Sequence, residues 1–133
     1  MKVFIADDST LVRERLAELI SELEGVEVVG QAGDAHEALE AIQHLRPDAV
    51  ILDIRMPENN GIQVLEAIKK STAAPVVIML TAFPYPQYRK KCLEAGAEYF
   101  FDKATEFEQV AEVLKKMQSS TTGESTTTPE SGL

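Results

Sequence analysis

Short apolar runs alternate with longer stretches whose apolar residues recur at helical spacing, and this alternation constrains the fold more than any other feature of the chain. The first run is Lys2–Ala6. After it, Val12, Leu16, Leu19, Ile20 and Leu23 form a helical stripe, with Ser9 as N-cap and Gly25 as a stop. Val26–Gly30 reads as a second strand. Asp34 and Glu37 make a capping-box pair ahead of Ala38, Ala41, Ile42 and Leu45, and Pro47 closes that helix. Ala49–Leu52 is a third strand, followed by a turn over Pro57–Gly61 and a helix marked by Ile62, Leu65 and Ile68. Val76–Leu80 is a fourth strand. Tyr88, Cys92 and Ala95 mark a fourth helix that Gly96 ends. Tyr99–Phe101 is a fifth strand, and Thr105 with Glu108 makes a second capping pair ahead of Phe107, Val110, Ala111, Leu114 and Met117.

Strands alternating with helices predict a parallel sheet covered on both faces. The third and fourth strands lack polar alternation, as strands buried on both sides do. Right-handed crossovers leave few topologies. The expected one is an α/β, flavodoxin-like, doubly wound five-stranded parallel sheet in the order 2-1-3-4-5 with five helices. At 133 residues with 44% hydrophobic side chains, the chain suits one such domain and hardly two. Residues 1–117 are expected to fold. Residues 118–133, rich in Ser and Thr, are expected to be disordered, because they bury too little to offset their ordering entropy. A net charge of −9 disfavours a nucleic-acid-binding surface and docking on anionic membranes. The N-terminal run ends in two aspartates, unlike a leader, and no stretch is long enough to span a bilayer. With Cys92 as the single cysteine, a reducing, cytoplasmic location is the expectation.

In a parallel sheet the residues just past each strand converge on one edge, where ligands bind. Here that edge collects Asp7 and Asp8, Asp53, Thr81 and Lys103. Three close carboxylates repel, and a hard divalent cation relieves this. Mg2+ suits a few carboxylates plus waters and a phosphate oxygen better than Ca2+, which wants more ligands. Asp8 and Asp53 are candidates for direct ligands, Asp7 for one acting through water, and the backbone carbonyl of Arg55 for another oxygen. A helix cap is the competing role for Asp8. A carboxylate can also be a nucleophile toward phosphorus, and Asp53, on the central strand between the acid pair and the Thr81/Lys103 side, is the best placed. Lys103 would neutralise oxygen charge and the Thr81 hydroxyl would donate to a phosphate oxygen.

With these residues in view, the chain resembles response-regulator receiver domains such as the chemotaxis response regulator. The likeness rests on DDS at 7–9, ILDIRMP at 51–57 with Gly61, LTA at 80–82 and Lys103, and it covers roughly residues 1–117. It implies a phosphorylation switch of a two-component system. A sensor histidine kinase or histidine phosphotransfer protein would phosphorylate Asp53, with Asp7 and Asp8 holding Mg2+ and with Thr81 and Lys103 reading the phosphate. It further implies that Thr81 and an aromatic on the fifth strand, Phe100 by its spacing from Lys103, act as the switch. The face that engages a downstream protein would comprise the fourth helix, fifth strand and fifth helix. Arg55 and Phe83, two past the acceptor and two past the threonine, would tune the phosphate lifetime. The chain departs from the family in carrying Ala104 where Pro often follows the lysine, which bears on the rigidity of the Lys103 loop.

Beyond its own phosphoryl transfer and autodephosphorylation, no enzyme activity is expected. A phosphatase of the haloacid-dehalogenase type would need an acid where Arg55 stands. Intact acids, Thr81 and Lys103 argue against an interaction-only receiver. A phosphorelay intermediate and a receiver fragment of a DNA-binding transcriptional regulator stay open. A monomer is expected, with dimerisation on phosphorylation left open. Pro84 and Pro86 flank Tyr85 and stiffen the connection before the fourth helix, unless Pro86 simply starts it. The basic run Arg89-Lys90-Lys91 reads as a solvated helix face or a dock for an acidic partner.

Overall fold

The structure is a computed structural model that describes residues 1–56 and 60–119. Its elements are β1 (Lys2–Ala6), α1 (Thr10–Ser21), β2 (Glu27–Ala32), α2 (Ala35–Leu45), β3 (Ala49–Leu52), α3 (Gly61–Ile68), β4 (Val76–Thr81), α4 (Pro86–Glu94) and β5 (Tyr99–Asp102). Residues 109–119 are helical and form α5. The strands are all parallel, in the order β2-β1-β3-β4-β5, as the alternation predicts.

The sheet divides the core in two. Phe4, Val50, Leu52, Met79 and Phe100 pack with α2, α3 and Cys92 of α4. Val3, Ile5, Ile51, Ile78 and Leu80 pack on the other face with Leu16 and Ile20 of α1 and Val110 and Leu114 of α5. Alternate residues of each strand feed opposite faces, and β3 is buried at all of its positions.

The caps follow the residue chemistry. Ser9 accepts a hydrogen bond from the Val12 N–H, Asp34 from Glu37 N–H and Asn60 from Gln63 N–H. Pro86 is the first residue of α4, where its missing N–H costs nothing.

Some boundaries differ from the sequence reading. Helix α1 stops at Ser21, so Gly25, with φ +79°, belongs to the following turn and Leu23 lies beyond the helix. Strand β2 runs through Gly30 to Ala32. Gly30 leaves room there: a Cβ would come within 2.9 Å of the Phe4 ring and 3.0 Å of Leu45, where the β1–β2 register shifts. The last helix begins at residue 109, not at the Thr105–Glu108 pair. The intervening chain turns instead on Asp102 and Glu106: Glu106 N–H donates to the Asp102 carbonyl, and the Glu106 carboxylate accepts from Asp102 N–H. The helix continues through Gln118 and Ser119, past the expected boundary at 117, while residues 120–133 and the turn positions 57–59 lie outside the described residues. Among the described residues no helix is long and apolar enough to cross a membrane.

At the edge opposite the strand carboxyl ends, Lys69 and Glu98 tie α3, β4 and β5 together. The Lys69 ammonium donates to Pro75 O (2.8 Å) and to Glu98 (2.9 Å), and Glu98 accepts from Val77 N–H (2.8 Å). Glu98→Ala strips the partner from a backbone N–H at the start of β4. We expect it to cost about 1–2 kcal/mol in urea unfolding, against a few tenths for an ordinary surface substitution. A midpoint shift no larger than that of an exposed control such as Glu112→Ala would refute it.

Candidate phosphoacceptor site

The carboxyl ends of β1, β3, β4 and β5 bring the expected residues to one edge. Asp7 follows β1, and its N–H continues the ladder onto Ala32 O. Asp53 follows β3, with its N–H on Ala6 O. Thr81 ends β4, and the Lys103 N–H past β5 reaches the Thr81 carbonyl at 2.9 Å. The sheet itself thus sets the spacing of the side chains.

Asp7, Asp8 and Asp53 each offer a carboxylate oxygen within 4.8 Å of the others. Lys103 Nζ bridges two of them, 2.8 Å from Asp7 Oδ2 and 3.1 Å from Asp53 Oδ2. The remaining oxygens take backbone donors: Ser9 N–H donates to Asp7 Oδ1 and Ile54 N–H to Asp53 Oδ1. Asp7 and Asp53 are buried, and Asp8 is exposed. Among the described residues no hydrogen bond or ion pair engages the Asp8 carboxylate, so Ser9, not Asp8, caps α1.

Burial, and after it the charge of Asp7, pushes the Asp53 carboxyl up to about 6 despite the opposing pull of Lys103. Burial also works against the Lys103 charge, but the hydrogen bonds and charges of Asp7 and Asp53 outweigh it and hold the ammonium above its ordinary range. One lysine therefore under-compensates the acids. The donor set is hard oxygen, as a divalent cation of the Mg2+ type requires.

Thr81 is fully buried, and its Oγ1 accepts from the Phe83 N–H at 3.0 Å, leaving the hydroxyl proton for another acceptor. The Arg55 guanidinium lies 4.3 Å from the Phe83 ring centroid, so the two expected lifetime residues touch across the rim of the site. The Arg55 backbone bridges Asn60. Phe100 is not at the site: it is 4% exposed, on the α4 side of the sheet. Arg89 of α4 donates to its carbonyl at 3.2 Å and lies 5.6 Å from its ring. Lys103 sits in a turn in which Ala104 N–H donates to Asp102 Oδ1 at 2.8 Å, a bond that a proline there could not make.

Gly61 is required by close approach. A Cβ on it would overlap the Asp53 carbonyl oxygen, and its N–H donates to Ile54 O at 2.6 Å. Arg13 is a site neighbour that the sequence reading missed: its guanidinium donates to the Asp7 carbonyl at 2.6 Å. Its spacing on α1 gave no signal of this, because an arginine at the start of a helix is ordinarily solvated.

The response regulator receiver domain family model matches residues 3–115. A positive alginate biosynthesis regulatory protein of Pseudomonas aeruginosa is 40% identical over 117 residues, 87% of this chain and 46% of that protein. The chain spans about half the length of the curated relatives it matches. The response regulator domain of Thermotoga maritima CheB superposes with a TM-score of 0.79 at 34% identity, covering 90% of this chain and 94% of that one. A CheX–CheY–BeF3–Mg complex from Borrelia burgdorferi gives 0.74 at 32% identity, covering 86% and 89%.

Proposed function

The chain belongs to the response regulator receiver domain family of two-component signalling, and we propose that Asp53 is its phosphoacceptor, with Asp7, Asp8 and Asp53 holding Mg2+. The observation that carries this is the junction of three carboxylates with Lys103 beside a buried threonine, all at one sheet edge. The Borrelia relative was solved with BeF3 and Mg, which agrees with it.

When bound, the cation neutralises the acids and a phosphoryl oxygen. A carboxylate oxygen of Asp53 forms a bond to phosphorus as the bond to the donor's histidine nitrogen breaks, and the leaving imidazole keeps that electron pair. Ile54 N–H and Lys103 fix the direction of the Asp53 carboxylate beforehand. Lys103 can then follow the developing negative charge from the carboxylates to the phosphoryl oxygens. The Thr81 hydroxyl donates to one of those oxygens. Attack by water releases phosphate and restores Asp53. A sensor histidine kinase or histidine phosphotransfer protein supplies the phosphoryl group, and a downstream protein reads the α4–β5–α5 face.

Incubation with Mg2+ and acetyl phosphate should add one phosphoryl mass to the wild type and none to Asp53→Ala. An unmodified wild type, or an Asp53→Ala protein modified to the same extent, would overturn the assignment.

Phosphate lifetime depends on the Arg55–Phe83 pair as a unit, because the guanidinium holds the ring at the rim of the site. Phe83→Ala and Arg55→Ala are each expected to shorten it about fivefold, the equivalent of a contact worth ~1 kcal/mol, and the double variant no more than either. Multiplying effects in the decay of intact-mass phosphoprotein would show that the two act separately.

A second reading, the receiver part of a longer transcriptional regulator, is favoured by the half-length match to relatives such as the Bacillus subtilis transcriptional regulatory protein YvfU, 58% of which is covered. The mass of the native protein, detected by antibody in cell extract, decides it: a species well above 14.6 kDa supports the longer form.

A further inference from the structure

We propose that Arg13 is a positioning residue for the metal-binding carboxylates: by holding the Asp7 carbonyl it fixes the direction of Asp8. The inference rests on the reading that the acid trio holds a divalent cation. Of the three acids, Asp7 and Asp53 are aimed by their own side-chain partners, Ser9 N–H and Lys103 for one, Ile54 N–H and Lys103 for the other. Asp8 has no such partner among the described residues, so its backbone alone directs it.

The Asp7 carbonyl and the Asp8 N–H share one rigid peptide plane. The oxygen of that plane receives the Arg13 Nη1–H at 2.6 Å, a charge-assisted bond, and the preceding N–H of Asp7 is tied to Ala32 O at 3.0 Å. With both sides of Asp7 held, the backbone can scarcely rotate into another arrangement. The guanidinium is itself anchored. Its Nη2 donates to the Thr10 hydroxyl at 3.3 Å, and Nη1 occupies the space beside Gly33, where a Cβ would come within 3.1 Å. Helix α1 and the loop after β2 thus jointly set where the acidic doublet points.

Mg2+ demands a near-ideal octahedral arrangement, whereas Ca2+ accepts irregular ones. Loosening one ligand therefore penalises Mg2+ selectively, which loss of stability alone does not do. Calorimetric titration of the full chain with Mg2+ and, separately, Ca2+ tests this on wild type, Arg13→Ala, Arg13→Lys, Gly33→Ala and the Arg13→Ala/Gly33→Ala pair. Arg13→Ala should weaken Mg2+ about tenfold and Ca2+ much less. Arg13→Lys should recover part of the loss. Gly33→Ala should weaken Mg2+ in the wild-type background, by crowding the guanidinium, and add nothing once Arg13 is gone. Unchanged Mg2+ affinity in Arg13→Ala, or an equal loss for both ions, would overturn the role. A wild type that binds neither ion would overturn the metal reading and the Arg13 role with it, so the two failures are told apart.

Discussion

Replacing Asp53 with Asn should stabilise the metal-free protein at neutral pH by about 2 kcal/mol, and the gain should vanish near pH ~4. Asp53 is 4% exposed, and its carboxyl is raised from 3.8 to about 6, first by burial and then by Asp7. The folded state thus binds this proton more tightly than the unfolded chain. Well below the ordinary value, both states are protonated and the acid costs nothing extra. Between about 4 and 6 the unfolded chain ionises first, so stability falls as pH rises. Above about 6 both are ionised and the whole penalty stands, about 3 kcal/mol for the separation between the two pKa values. Asn removes that penalty, in which the pull of Lys103 is already included, but its buried amide must find hydrogen-bond partners in a site shaped for a carboxylate, which returns part of the gain. The check is urea unfolding of both proteins across this pH range in a chelator. A difference that does not change with pH would sink the prediction. Added Mg2+ should shift the order back toward the acid form, which binds the cation more tightly than a variant left with Asp7 and Asp8 alone.

Gly61→Ala should destabilise the domain by about 3 kcal/mol, a fall of roughly 10 °C in thermal midpoint, and should impair phosphorylation as well. The Cβ would overlap the Asp53 carbonyl oxygen and lie 2.9 Å from its carbon and 3.1 Å from the Ile54 Cα. All three are backbone atoms, so no flexible side chain can yield. Relief requires moving either α3 or the segment that carries Asp53. A variant with a wild-type midpoint and normal uptake from acetyl phosphate would mean that the contact relaxes at little cost.

Much of the site could be read from the residue pattern, because a parallel sheet turns sequence order into spatial neighbourhood. Asp7, Asp8, Asp53, Thr81 and Lys103 each fall just at or past a strand end, and strand ends are readable from apolar runs. The structure brings them together as that logic requires. What escaped were interactions set by tertiary contact. Gly30 is the last residue of the expected second strand, yet β2 runs on to Ala32, and Gly30 sits inside it where a Cβ would crowd the Phe4 ring. Helix α2 ends on Arg46 in the left-handed region at φ 49°, where a glycine would be the local expectation. Thr105 and Glu108 carry a capping pattern, but Asp102 and Glu106 take up the backbone bonds that shape the turn. The Arg55–Phe83 stack joins segments far apart in the chain, and Arg13 folds back from α1 onto a carbonyl 6 residues before it; no spacing rule encodes either meeting.

The division of the core by the sheet carries a mechanical consequence. Phe100 faces the layer built from α2, α3 and α4, while its neighbours Tyr99 and Phe101 face the layer of α1 and α5. A movement of the Phe100 side chain would therefore bear first on the α4 layer, with the hydrogen-bonded strands acting as a bulkhead between it and α1. A partner seated on α1 could stay gripped while the opposite flank changes shape, so receiving a message and relaying it need not compete for the same moving parts.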